Sequence, residues 1–464
     1  MLRRFERKTI LFDFFSINAA WAVYYMLRID SHLIGYQTKP DLLMPMAVMY
    51  CYWVAVLMFF GLYRPWNFKS RTDEFSSILR AISIGCIVLF FAIFFDDEQK
   101  AIYPGNRSII VMYWVLMVSF VGVGRVALRT FLKKLLLQGI GLRETIIVGL
   151  GAKAIDLHDA IRKYPALGYN VLGFIATHQG EEPSTILPAP ILGTVENITS
   201  TIADRNVKNI LIALDDHQKE IVLDVVSITT GFGVSVKIIP DMYDIISGQA
   251  RTNQIYGFPL IEIMPQIMQP WEESAKRLMD VVASVIILAL TSPVWIFVGL
   301  AIKLDSKGPM VYSQERVGKD GKFFRMHKFR SMYQDAEAGT GPVWAAQNDP
   351  RITRFGGFLR KTRLDEIPQF LDVLRGDMSL VGPRPERHHF VELLAKEIPL
   401  YKRRLSVKPG ITGWAQIKQG YDTSIDDVKS KIRFDLFYIE NMSFRMDLKI
   451  LLITVYVMIA GKGN

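Results

Sequence analysis

The sequence has little cysteine, no zinc-ligand spacing and no RNA-binding signature. Its 464 residues include two cysteines, Cys51 and Cys86. Both lie in apolar runs, which excludes a disulfide framework and a cysteine metal cluster. The formal charge of +10 is therefore not read as a nucleic-acid footprint, and no nucleic acid is expected as a partner. No small-residue cleavage site follows the basic, apolar N-terminus, so that stretch reads as an anchor and not as a removed signal peptide. What the chain has in quantity is apolar surface. Half of its residues are hydrophobic, as in membrane proteins, and its cationic excess suits an anionic lipid surface. The length suggests about three domains.

Four apolar segments come first, roughly Ile10–Leu27, Leu42–Leu62, Phe75–Phe95 and Ile109–Leu128. Each is near the ~20 residues that a helix needs to cross a bilayer. Asp13 is one of the few charges within them. Arg3, Arg4, Arg7 and Lys8 precede the first segment, and Arg64, Lys69, Arg71 and Arg80 cluster around the second connection. Arg125, Arg129, Lys133 and Lys134 follow the fourth, whereas the third connection carries Asp96, Asp97 and Glu98. Cationic loops stay inside, so both ends of this four-helix transmembrane bundle, residues 1–140, are predicted to be cytoplasmic.

A soluble Rossmann-like α/β domain is predicted over 141–265. Thr145-Ile-Ile-Val148 reads as a buried strand, followed by the glycine turn Gly149-Leu-Gly151-Ala-Lys-Ala154 into a helix. Further apolar runs at Val171–Ile175, Ile210–Leu214 and Val234–Ile239 alternate with helical stretches, a doubly wound pattern. A dinucleotide site usually adds an acid at the end of the second strand. That strand ends Gly173-Phe-Ile-Ala-Thr-His178, so a structural or regulatory role is favoured and no tight NAD binding is expected.

A third domain, 266–464, opens with Lys276-Arg277 and an apolar run from Leu278 to Ile302, closed by Lys303. The run is long enough to span a membrane. However, Lys276, Arg277, Lys303 and Lys307 place cations at both ends, and Pro293 removes a helical hydrogen bond and clashes with the preceding turn. A re-entrant helix over about 276–304, broken at Ser292-Pro293 and entering and leaving on one side, is predicted instead. The freed backbone groups must be satisfied locally, and the Ser292 hydroxyl is a candidate.

The densest chemistry lies between Arg360 and Gln369. Arg360, Lys361 and Arg363 precede the adjacent carboxylates Asp365 and Glu366, and Pro368 then enters an apolar helical pattern. Proline belongs in a helix's first turn, so the helix is predicted to begin at or just after Asp365. Free N–H groups and the positive dipole end suit phosphate there, while plain capping by Asp365 is the alternative. Pro309–Gly318 and Phe324–Arg330 read as strands, on which Lys328 and Arg330 share one face. Such a pair either binds phosphate or is merely solvated. Pro383-Arg384-Pro385 fixes an extended backbone presenting one guanidinium, which suits diphosphate. Gly413-Trp414-Ala-Gln416 adds an aromatic that either stacks on a base or packs.

Five motifs appear in order: Lys328-Phe-Arg330, Asn348-Asp-Pro-Arg-Ile-Thr353, Leu364-Asp-Glu-Ile-Pro-Gln369, Gly376-Asp-Met-Ser-Leu-Val-Gly-Pro-Arg-Pro385 and Pro409-Gly-Ile-Thr-Gly-Trp-Ala-Gln416. Together they resemble the bacterial sugar transferase family, the monotopic phosphoglycosyl transferases, from about Ala275 to the C-terminus. The helical bundle and α/β segment resemble the N-terminal extension of the large members, which initiate exopolysaccharide, capsule or O-antigen synthesis. The resemblance implies a multi-pass enzyme of the bacterial inner membrane, with its catalytic domain on the cytoplasmic face of the lipid bilayer. It implies transfer of a sugar 1-phosphate from a UDP-sugar to undecaprenyl phosphate, with UMP leaving. Asp365 matches the family's nucleophile and Glu366 its partner acid. Arg360 and Arg384 match phosphate and nucleotide contacts. Lys328, Arg330, Arg363, Pro383, Pro385, Trp414 and Gln416 join them in the expected substrate-binding set. Ser292-Pro293 matches the re-entrant break. After Gln416 this chain reads Ile-Lys-Gln-Gly-Tyr421, where many members have Val-Asn-Gly-Arg-Asn.

A carboxylate that attacks a diphosphate meets like charge, so the resemblance also implies Mg²⁺ bridging Asp365 and the substrate. A homodimer is expected from the frequency of twofold oligomers. Glucose and galactose are the leading sugars. Two other readings differ in what they require. A membrane-bound nucleotide-sugar dehydratase needs a Tyr-x-x-x-Lys pair and a Thr-Gly-x-x-Gly-x-x-Gly turn, and the sequence has neither. A non-enzymatic polysaccharide-assembly scaffold has no need of an Asp-Glu dyad. The C-terminal run Ile450–Ala460, flanked by Lys449 and Lys462, is too short to cross and is expected at the interface or packed on the core.

Overall fold

The computed structural model of the chain describes residues 2–29, 41–63, 71–96, 108–181, 183, 186–215, 219–229, 232–240, 260–263, 268–334, 349–398, 400–419 and 425–459. Arg64, Lys69, Asp97, Glu98, Asn348, Gly420, Tyr421, Ala460 and Lys462 lie outside these residues. The chain forms two compact units. One comprises Met1–Phe174, Glu182–Ile191 and Ile239–Ile261, the other Ile175–Glu181, Leu192–Ile238 and Glu262–Asn464.

Four apolar helices open the first unit: α1 (Leu2–Ile29), α2 (Leu43–Phe59), α3 (Arg71–Asp96) and α4 (Ser108–Leu137). Their shared core includes Ile17, Trp53, Leu57, Ile82, Tyr113 and Met117. Leu11, Phe15, Met44, Val88 and Val123 face outward, as lipid-facing positions do. Polar aromatics are satisfied between helices: the Trp53 indole donates to the Tyr113 hydroxyl (2.8 Å) and Tyr52 to the Gly85 carbonyl (2.7 Å). Helix α2 stops short of the apolar run read from the sequence. Gly61 takes a left-handed φ of 67°, and the Leu62 N–H turns back to the Leu57 carbonyl (3.0 Å), a glycine-type helix stop.

Charges cross-link this bundle. Arg125 of α4 donates bidentately to Asp13 of α1 (2.9 and 2.6 Å), and to the Leu62 carbonyl (2.8 Å) and Glu74 of α3 (3.3 Å). Arg129 pairs with the other Glu74 oxygen. In the sequence Arg125 and Arg129 read as cations flanking the fourth segment; the structure turns both onto buried carboxylates. Charges buried among apolar helices persist only when paired in this way.

An α/β domain with a parallel sheet follows. Its elements are β1 (Arg143–Val148), α5 (Ala152–Lys163), β2 (Tyr169–Ala176), β3 (Ile191–Thr194), α6 (Ile198–Arg205), β4 (Asn209–Ile212), α7 (Lys219–Thr229), β5 (Ser235–Ile238) and β6 (Ile261–Ile263). The strand order is β3-β2-β1-β4-β5-β6, and Ile210 of β4 lies opposite Val236 of β5 in a parallel pair. Each apolar run read as a strand is one.

The 36-residue α8 (Pro270–Asp305) then leads to the antiparallel hairpin β7 (Val311–Val317) and β8 (Phe323–Phe329). Helix α8 differs from the expected broken pair, because helical backbone continues through Pro293. Pro293 supplies no N–H to the carbonyl four residues back, that of Ala289, and the Ser292 hydroxyl donates to this carbonyl instead (2.8 Å). The lost bond is thus replaced within one turn. One face of α8 is embedded, with Asp280, Ser284, Val298 and Ile302 buried, while Val285, Leu290, Ile296, Phe297 and Leu304 are exposed.

Replacing Arg125 with methionine leaves Asp13 and Glu74 buried with less compensation. The expected destabilisation is about 3–5 kcal/mol, measured as thermal or denaturant unfolding of the bundle in detergent micelles. An Arg125→Met protein as stable as the parent contradicts the cross-link.

Candidate active site

Three local devices place the two carboxylates. Thr353 caps α9 (Arg354–Thr362), its hydroxyl accepting the Gly356 N–H (3.0 Å). A Cβ at Gly356 would lie 2.0 Å from the Ser331 carbonyl, so only glycine lets α9 approach the end of the hairpin this closely. The helix then stops at Arg363, whose φ of 57° is left-handed; for a non-glycine residue this costs roughly 1–2 kcal/mol. A 3₁₀ turn, Leu364–Glu366, carries the dyad, and α10 (Gln369–Arg375) follows with Pro368 at its cap. The sequence pattern predicts a helix start at or just after Asp365; the helix begins at Gln369, and the dyad sits in the 3₁₀ turn ahead of it. The N–H groups of Ile367, Phe370 and Leu371 donate to Leu364, Ile367 and Pro368 carbonyls, so tight local bonding consumes donors that a phosphate would need.

The carboxylates differ sharply. Glu366 receives the Lys328 ammonium (3.1 Å) and the Arg384 guanidinium (3.4 Å) on the same Oε1. Burial alone would raise its pKa, but Lys328, Arg384 and Arg363 together pull it down to about 2. Asp365 is buried and makes no side-chain hydrogen bond among the described residues. Burial and the adjacent Glu366 raise its pKa above the ordinary value, against the lowering fields of Lys328, Arg360 and Arg384. Burial likewise lowers the pKa of Lys328. Arg360 stands by the site with its Nε on the Ser331 hydroxyl (3.0 Å).

The profile of the bacterial sugar transferase family matches residues 271–461, and that of a CoA-binding domain matches residues 58–240. The UDP-glucose:undecaprenyl-phosphate glucose-1-phosphate transferase of Klebsiella pneumoniae is 33% identical over 85% of this chain and 83% of its own. This chain belongs to the bacterial sugar transferase family. The transferase is also 41% identical to the UDP-N-acetylgalactosamine-undecaprenyl-phosphate N-acetylgalactosaminephosphotransferase of Aeromonas hydrophila, over 50% of this chain and 53% of that one. A third relative, the undecaprenyl-phosphate galactose phosphotransferase of Salmonella typhimurium, is 29% identical over 84% and 82% of the respective chains. By family the transferase is a phosphotransferase.

Lys328, Arg360, Arg363 and Arg384 thus gather around the dyad as expected, and Pro383 and Pro385 flank Arg384. Three other expected substrate contacts are placed elsewhere. Arg330 lies just beyond β8, and its guanidinium donates to the carbonyls of Lys307 (2.7 Å), Ser306 (2.6 Å) and Ile302 (3.3 Å). It caps the C-terminal end of α8, where cations belong, because the strand ends at Phe329 and its alternation no longer applies. Trp414 packs near Phe437 (6.0 Å between centroids), under the ammonium groups of Lys418 (4.9 Å) and Lys449 (5.7 Å). Gln416 donates to the Ile411 carbonyl (3.2 Å). Neither Trp414 nor Gln416 touches Asp365 or Glu366 in a described interaction.

The transferase also uses residues that sequence reasoning passed over. Asp372, fully buried on α10, accepts from the His327 backbone N–H (2.9 Å) and pairs with its ring Nδ1 (2.6 Å), tying β8 to α10. In sequence Asp372 is one polar residue on a helix face. Lys276 and Arg277 read as membrane flanks, yet Lys276 donates to the Val381 carbonyl (2.8 Å) and Asp447 (2.7 Å), and Arg277 to the Val373 and Leu374 carbonyls (2.6 and 2.8 Å).

If Asp365 is the attacking carboxylate it must be ionised, and its raised pKa is then expected to set the acid limb of kcat/KM. Its midpoint is expected above the ordinary aspartate value of about 3.9, and further toward neutral in Lys328→Met, because Lys328 is the foremost charge lowering that pKa. A midpoint at or below the ordinary value, or unmoved in Lys328→Met, contradicts the assignment.

Proposed function

We propose that this phosphotransferase moves a sugar 1-phosphate from a UDP-sugar to undecaprenyl phosphate through a covalent intermediate on Asp365, and so begins assembly of a cell-surface polysaccharide. The observation that carries this reading is the contrast within the dyad. Glu366 is committed to Lys328 and Arg384, whereas Asp365 beside it has no hydrogen-bond partner among the described residues. A carboxylate without a partner is the one able to form a bond to phosphorus.

In the first step an Asp365 Oδ attacks the sugar-bearing phosphorus. The Asp365 O–P bond forms, the bond from that phosphorus to the bridging oxygen breaks, and UMP leaves with the electron pair. In the second step an oxygen of undecaprenyl phosphate attacks the same phosphorus and displaces the carboxylate, giving undecaprenyl-diphosphate sugar. Lys328, Arg360 and Arg384 lower the repulsion between carboxylate and diphosphate, which at ~4 Å is about 4 kcal/mol in a partly screened site. Glu366 orients Lys328 and Arg384 through its ion pairs.

Asp365 and the neighbouring Glu366 fit a divalent cation, since one carboxylate is uncommitted and Mg²⁺ commonly takes only one or two protein carboxylates beside substrate phosphates. No group of three or more His, Cys, Asp or Glu side chains among the described residues could hold a metal unaided. Bound Mg²⁺ would neutralise phosphate charge.

A cytoplasmic, re-entrant placement of α8 at the inner membrane is part of the same reading. It is supported by the pinning of both helix ends to one unit: Lys276 and Arg277 at one end, and Arg330 on the Ile302 and Ser306 carbonyls at the other. Asp305 also accepts the Phe355 N–H (3.2 Å). The relatives carry glucose, galactose and N-acetylgalactosamine in their names, so the sugar is left open among these hexoses. The α/β segment is read as a doubly wound accessory domain.

The test is trapping. Incubated with radiolabelled UDP-sugar and no lipid, the parent protein is expected to become labelled and to release one UMP per label. The label should map to Asp365 and be absent from Asp365→Asn, which loses several tenfold factors of rate at about 1.4 kcal/mol each. Retained turnover in Asp365→Asn refutes the covalent route.

A further inference from the structure

The segment carrying Arg384 has no complete ladder with a neighbouring strand, and Pro383 and Pro385 offer no N–H of their own. Its order depends on donors brought to its carbonyls. All four carbonyls from Pro383 to Glu386 receive one. The Gly410 N–H donates to Pro383 (3.0 Å), Arg404 Nη2 to Arg384 (2.9 Å), Arg316 Nη1 to Pro385 (3.1 Å) and the Val317 N–H to Glu386 (3.0 Å).

The two guanidinium donors are held from behind. Arg404 is buried; its Nη1 donates to the Tyr401 hydroxyl (2.8 Å), its Nη2 lies 3.0 Å from Asp435, and its carbon sits 5.2 Å from the Tyr401 ring centroid. Arg316 places its Nη2 on Gln314 (2.8 Å) and its Nη1 3.8 Å from Glu386. Neither guanidinium contacts Asp365 or Glu366 in any described interaction; Arg404 holds the carbonyl of Arg384 and Arg316 that of the next residue, Pro385, in the segment whose Arg384 side chain reaches Glu366.

We propose that Arg404, aided by Arg316, is a positioning residue for the transfer: it fixes the Arg384 carbonyl so that the Arg384 guanidinium stays directed at Glu366 and the donor diphosphate. The inference rests on the reading of Arg384 as a diphosphate contact. A planar fork suits the task, because one guanidinium reaches the carbonyl, the tyrosine hydroxyl and Asp435 together.

A double-substitution cycle on the full-length enzyme in lipid nanodiscs tests it. The donor probe is UDP-glucose, or UDP-galactose or UDP-N-acetylgalactosamine if one of those is turned over. Arg384→Ala, Arg404→Met and Arg316→Met are each expected to lower kcat/KM by roughly tenfold or more, chiefly through KM. In the Arg384→Ala background, adding Arg404→Met or Arg316→Met should change kcat/KM by less than about twofold, since residues acting through one group are not additive. Arg404→Lys should recover part of the loss. Where Arg404→Met does not fold, Arg404→Lys and Arg316→Met complete the same cycle. Losses that multiply in the double variants overturn the positioning role and leave the Arg384 reading intact. An Arg384→Ala enzyme with full kcat/KM overturns the diphosphate reading itself, and the positioning role with it.

Discussion

The site depends on one ion-pair arrangement: two cations, Lys328 and Arg384, meet on a single oxygen of Glu366. They arrive from different directions, one from a strand and one from a proline-flanked loop. Their convergence keeps Glu366 ionised despite its burial, at a pKa of about 2. The field they create reaches Asp365 without a hydrogen bond, so that carboxylate stays available while burial raises its pKa. Two adjacent acids whose environments push their pKa values apart are suited to different roles. Here the chain itself provides the separation, because successive residues of a tight turn point in different directions.

The arrangement survives only if its supports do, and several converge on α8. Asp280 of that helix accepts the Leu380 N–H (3.0 Å) and the Ser379 hydroxyl (3.2 Å), holding β9 (Ser379–Val381), the strand that leads into the Arg384 loop. Arg277 caps the carboxyl end of α10, and Arg330 caps the end of α8. A helix whose outer face is apolar and exposed is thereby bonded at both ends to the unit that carries the dyad. The exposed apolar face and the bonds to the segments that carry the site thus belong to one helix.

Much of the fold was legible in the sequence. The apolar runs gave four helices, and the alternating short runs of the middle segment gave the strands of a parallel sheet, because hydrophobic period and length are local signals. At the site, Asp365, Glu366, Lys328, Arg360 and Arg384 could be named before any coordinates, since acids beside clustered cations and an arginine between prolines are local patterns. What could not be read is the destination of a long side chain. Arg330 and Lys328 are two residues apart and look alike, yet one caps a helix because the strand ends between them. Trp414 offered stacking or packing, and the ring it lies beside, Phe437, comes from a separate helix that the local pattern does not point to. Arg404 and Asp372 gave no signal, because their partners lie 20 and 45 residues away.

The most direct measurement is isotope exchange without the lipid acceptor. Purified enzyme is incubated with UDP-sugar and radiolabelled UMP, with undecaprenyl phosphate removed. If Asp365 carries the phosphosugar, the first step is complete and reversible by itself, and label must enter UDP-sugar; Asp365→Asn must abolish that exchange. Exchange that appears only when undecaprenyl phosphate is added would show that both substrates must be bound before any bond breaks, and would contradict a covalent aspartate.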